Sequence, residues 1–151
     1  MSGPFGRALL GFVAAVLSVL LFHETMAFIL NTIGYAARKP WSLTPGVPPL
    51  GVPYVANLAF WGGLWGILFA FVHPWLPGRL LWLKGLIYGV LIVVFSGWML
   101  VPIIKGQLFG LPDQVLFSGF NTQRMLNSLL IVGSYGLGLG IIYGAMARGR
   151  A

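Results

Sequence analysis

Ala8-Leu-Leu-Gly-Phe-Val-Ala-Ala-Val-Leu-Ser-Val-Leu-Leu-Phe-His-Glu-Thr-Met-Ala-Phe-Ile-Leu-Asn-Thr-Ile33 is apolar from end to end except around His23 and Glu24. A run of this length crosses a hydrocarbon core of about 30 Å, which needs roughly 20 residues in helical form. The same run carries one of the two acids of the chain, and an ionisable residue in such a place costs on the order of 3 kcal/mol on insertion scales. Glu24 is therefore expected to have a partner or to lie within reach of water.

Working outward, three further runs have the same character. The helices are placed near residues 8–33, 54–75, 80–104 and 126–147. Of the whole chain 58% is hydrophobic and 7% charged, with a mean hydropathy of +0.92, whereas soluble domains carry about 25% charge. These observations predict an all-α integral membrane four-helix bundle in a single transmembrane domain spanning 1–151. Met1 to Leu21 has the outline of a signal peptide, with Arg7 followed by an apolar stretch. The apolar pattern runs on past His23 and Glu24 through Met26 to Leu30, so the segment is expected to stay as the first span.

The connections differ in kind. Pro40, Pro45, Pro48, Pro49 and Pro53 break the first loop, and the second is a tight turn from His73 to Arg79. The third runs from Lys105 to Gln123, where Pro112 is placed to open a short interfacial helix.

Shifting the chain by 74 positions superposes its halves: Gly11 falls on Gly85, Gly62 on Gly136 and Gly66 on Gly140. One register serves both helix pairs. It predicts two tandem helical hairpins related by a pseudo-two-fold along the membrane normal, the parallel kind of internal repeat. Gly136, Gly140 and Gly144 recur every four residues, as do Gly62 and Gly66, and Gly85 and Gly89. In lipid, close backbone approach through small residues takes over the role that apolar burial plays in water, so these glycines are assigned to helix packing. Gly136-Leu-Gly-Leu-Gly140 follows no strand and lies inside a span, which excludes a nucleotide-loop reading.

The charge pattern sets a weak orientation. With the N- and C-termini cytoplasmic, Arg7, Arg79, Lys84, Arg148 and Arg150 are inside, against Arg38, Lys39, Lys105 and Arg124 outside. Trp75, Trp82 and Tyr143 are then expected at the inner interface, and Tyr35, Trp41, Tyr54 and Trp98 at the outer. The net charge of +7 comes from scarcity of acid rather than from a basic face, which points to lipid headgroups and away from nucleic acid.

Glu24 lies about 24 Å along the first helix from Ala8, at the outer level shared by Asn57, Asn127 and Arg124. On a straight α-helix it points about 140° away from the small-residue stripe of Gly11, Ala15, Ser18, Phe22 and Thr25, and His23 about 120° away on the other side. A carboxylate off the packing face calls for cover by another polypeptide, a lipid or a cofactor, or else it is protonated or reaches the headgroups. Glu24, His23, Arg124 and Asn57 are thus the candidate partner or ligand contacts.

Chemistry of the chain's own is poorly provided for. Cysteine is absent, and the two histidines, His23 and His73, fall at opposite interfaces, so no haem or metal site is expected from this chain alone. No nucleophile, base and orienting group occur together, which argues against an enzyme. Lipid, quinone or pigment remain as ligands, with His23 or Trp98 as the polar contact.

Tyr135-Gly-Leu-Gly-Leu-Gly-Ile-Ile-Tyr-Gly144, preceded by Leu83-Lys-Gly-Leu-Ile-Tyr-Gly89, resembles the glycine-tyrosine helices of small uncharacterised four-helix bacterial inner-membrane proteins. The resemblance covers mainly the second half of the chain. It implies a helical fold in the bacterial inner membrane and no activity. The first expectation for function is a non-catalytic accessory or structural subunit of a larger energy-transducing or transport complex in the membrane. The alternatives are a small transporter or channel using Glu24 as a coupling residue, and a protein that binds quinone, pigment or lipid.

Overall fold

A computed structural model describes residues 3–44, 46–47 and 50–149. Pro45, Pro48 and Pro49 of the first loop, the residues at Met1 and Ser2, and Arg150 of the inner basic set lie outside the described residues. The chain is all-α, with four long apolar helices packed as a bundle: α1 (Pro4–Thr32), α2 (Tyr54–Trp75), α3 (Leu81–Leu108) and α4 (Thr122–Arg148). Each is long and apolar enough to cross a membrane.

The ends follow local chemistry. Pro4 opens α1, where its missing N–H costs nothing. Extended Pro53 precedes α2, and Pro77 with Gly78 at φ 105° turns the chain between α2 and α3. Asn121 caps α4: its side-chain oxygen accepts the Arg124 backbone N–H at 3.0 Å, so the helix begins four residues earlier than its apolar run.

Glycine contacts join the helices in pairs. A Cβ built on Gly11 would strike the Gly66 carbonyl, and one on Gly85 would strike the Gly136 carbonyl and the Gly140 backbone. The 74-residue offset thus carries the Gly11–Gly66 approach of the first hairpin onto the Gly85–Gly140 approach of the second. The hairpins meet where α1 lies on α4. Gly138 makes room for Phe22 and Ser18. Ser18 Oγ donates to the Tyr135 carbonyl at 2.6 Å, and the Tyr135 hydroxyl donates to the Gly62 carbonyl at 2.6 Å, so α1, α2 and α4 are tied at one level.

Three features depart from expectation, each for a physical reason. First, α1 is not a straight α-helix, because residues Val19–His23 wind as a π-helical turn. One extra residue in a turn sets every later residue back by about 100°. This swings Leu30 from about 100° off the small-residue stripe onto it, and both Ala27 and Leu30 are buried. Second, Pro112 does not open a helix. Asp113 takes a left-handed conformation, φ 63°, and the segment turns there before a left-handed turn at Leu116–Phe120. Third, Tyr143 and Trp98 are not interfacial anchors. Tyr143 is buried between Phe69 and His73, and Trp98 is buried against Phe117, whereas Trp75 is left 82% exposed.

Candidate functional site

Two features at the end of the bundle away from the termini stand out from its apolar frame. One is Glu24. Its side chain is wholly buried, and the cover comes from the first loop of the same chain. Arg38 grips the carboxylate with both terminal nitrogens, at 2.8 Å to Oε1 and 3.2 Å to Oε2. The Trp41 backbone N–H donates to Oε2 at 2.5 Å, and His23 Nδ1 lies 2.8 Å from Oε1 as a third donor. The Trp41 indole N–H reaches back to the Leu20 carbonyl, at 3.0 Å, inside the π-helical turn. The Arg38 guanidinium also lies over the Tyr54 ring, 5.5 Å from its centroid, linking the loop to the start of α2. A bidentate, hydrogen-bonded pair of this kind is the arrangement in which a buried carboxylate is tolerated.

The expected partners are distributed differently. Glu24 and His23 are in direct contact, whereas Arg124 is exposed in the first turn of α4 and takes part in neither ion pair of the described residues. Asn57 lies on α2 among the residues of the second feature rather than beside the carboxylate. Arg38 was not among the sequence-level candidates for Glu24. It lies in the proline-rich loop, whose return over α1 no helical periodicity signals.

The second feature is a groove of about 1110 Å³ between α2 and α3. These two helices are adjacent in sequence, yet they touch through side chains toward the end of the bundle that holds the termini. There the Tyr88 hydroxyl donates to the Trp65 carbonyl at 2.8 Å, and Tyr88 packs on Phe69. Beyond that contact they leave a space, walled on α2 from Tyr54 to Leu68 and on α3 from Ser96 to Lys105. The α2 wall is about 21 Å long at 1.5 Å per residue. The first loop closes one side with Val47, Leu50 and Val52. The remaining side is open, and Phe60, Trp61 and Leu100 on the walls are 51%, 56% and 49% exposed.

Polar side chains are few in the groove. Tyr54, Asn57 and Lys105 belong to the outer part of its walls, beside Val47, Leu50 and Val52, whereas Leu64, Trp65 and Leu68 line the inner part of the α2 wall and Ser96 the inner part of the α3 wall. Neither His23 nor Trp98 lines this groove. His23 instead borders a separate cavity of about 140 Å³ beside Gly62 and Tyr135. Among the described residues no three His, Asp or Glu side chains converge on one point. Chemically, the site has largely apolar walls with a few hydrogen-bond donors, most of them toward its outer end, and the acid nearest in sequence to the covering loop is already paired.

Comparisons with protein-family models, with curated proteins and with solved structures find no match to this chain.

Proposed function

We propose that this four-span membrane protein is a non-catalytic binder of one lipid-like amphiphile, held in the groove between α2 and α3 with its tail inward and its head near Tyr54, Asn57 and Lys105. The observation that carries the reading is the open, largely apolar groove with Lys105, Asn57 and Tyr54 in the outer part of its walls. Its 1110 Å³ lies just above the usual range for small-molecule sites of about 300–1000 Å³. Its α2 wall, about 21 Å long, suits a long narrow ligand lying along the helix. Glu24 supports the reading indirectly. Its paired carboxylate has no free valence for ion coupling, and Arg38 and Trp41 use it to fasten the loop that forms part of the groove wall.

The test is native mass spectrometry of the chain released from a mild detergent. One bound species of lipid mass per chain is expected. Leu64→Trp, which puts an indole into the groove, is expected to weaken its binding about tenfold, the factor in Kd that 1.4 kcal/mol represents, and so to lower its occupancy at equal protein and lipid concentrations. Equal occupancy in the two proteins would remove the groove from the account.

A second reading, as a subunit docked on a larger assembly, is favoured by one observation. The third loop leaves Leu108, Phe109 and Phe120 at least 70% exposed. The same spectra decide it, since a subunit would retain other chains under these conditions.

A further inference from the structure

We infer that the amphiphile bound between α2 and α3 is an anionic glycerophospholipid, its phosphate seated against Lys105 with Asn57 and Tyr54 as additional donors. This inference rests on the proposed binding function and adds the chemistry of the head. Among the described residues, Lys105 is the one charged side chain lining the groove. It belongs to neither ion pair of the described residues, both of which are made by Glu24. Its position on α3 matches the outer end of the α2 wall, where Tyr54 and Asn57 supply a hydroxyl and an amide.

The Arg38 guanidinium over the Tyr54 ring is already paired with Glu24 and adds no net charge. Lys105 is therefore the cation of the groove mouth, and no acid is among the described lining residues. A neutral quinone head would accept hydrogen bonds from Asn57 and Tyr54 but would draw nothing from the Lys105 charge. A zwitterionic choline head would bring a second cation to the same place. A phosphodiester without a compensating cation satisfies all three donors, and a basic residue at the membrane surface favours anionic lipid by about fivefold. The length of the apolar wall, about 21 Å, suits an acyl chain lying along α2.

The groove contains its own reporters, because Trp61 and Trp65 are on its wall. The experiment reconstitutes the full chain with lipids brominated on their acyl chains, as phosphatidylglycerol or as phosphatidylcholine, and measures quenching of tryptophan emission. Wild-type protein is expected to prefer the phosphatidylglycerol about fivefold. Lys105→Gln is expected to bring the two lipids level, Lys105→Arg to keep the preference, and Leu64→Phe, which adds bulk to the groove without adding an indole, to weaken quenching of the groove component by both lipids. Inorganic phosphate at millimolar concentration is expected to displace neither, which separates a lipid head from a free anion site.

Equal quenching by the two lipids in wild-type protein, with the Leu64→Phe effect intact, overturns the anionic head and leaves the binding function standing. A preference that survives Lys105→Gln overturns the assignment to Lys105. Absence of any quenching that Leu64→Phe reduces overturns the binding function and this inference together.

Discussion

Arg38→Met is expected to destabilise the protein by about 3–5 kcal/mol, because it removes the bidentate guanidinium and leaves a fully buried carboxylate with only the Trp41 N–H and His23 as partners. Glu24→Leu removes the charge at the buried end instead. The Arg38 side chain is 27% exposed and can turn toward water, so this variant is expected to lose less, about 2 kcal/mol, chiefly from the stranded Trp41 N–H. The double variant is expected to be more stable than Arg38→Met alone, since an apolar pair of similar size avoids the desolvation that both ions bear. Denaturant unfolding in detergent measures the order of the three. Hydrogen exchange at the Trp41 amide reports the local event, because release of the loop frees that N–H from Glu24. Unchanged stability in Arg38→Met would mean that something other than this loop covers Glu24.

The second large effect concerns the glycine contacts. Gly85→Val drives a branched side chain into the Gly136 carbonyl and the Gly140 backbone, where there is no flexible side-chain end to yield. The α3–α4 hairpin must open along its length. In lipid the lost close packing is not offset by apolar burial elsewhere, so the cost is set at the upper end for overpacking, about 3 kcal/mol. Gly97→Ala on the same helix meets nothing within 4 Å and is expected to be neutral or slightly stabilising. Comparing the two variants in the same unfolding assay separates backbone contact from glycine content. Equal behaviour would contradict the role given to the glycines.

The bundle was legible in the sequence because its determinants are local. Apolar length marks each span, and the four-residue spacing of small side chains marks the contact faces of Gly85, Gly136 and Gly140. The rule that an acid within a span must have a partner was also sufficient to single out Glu24. Its partner was not legible, because Arg38 reaches it only after the proline-rich loop has folded back, and because the π-helical turn at Val19–His23 rotates the outer part of α1 by an amount that no periodic pattern records. The groove was invisible for a related reason. Its walls contain ordinary lipid-facing residues such as Leu64 and Leu100, and only the separation of α2 from α3 gives them a common space. Asn57 is legible as a polar residue at the outer level, yet the groove it lines is bounded by α3 and the first loop and not by α1.

The most direct measurement is photolabelling of the reconstituted chain with a phosphatidylglycerol carrying a diazirine in its acyl chain, followed by peptide mapping of the adducts. Adducts concentrated on Trp61, Leu64 and Leu100, and reduced there by Leu64→Trp, are the expected result. Adducts spread over the outward-facing Phe5, Leu21 and Leu130 in proportion to their exposure, with no excess between α2 and α3, would contradict the account.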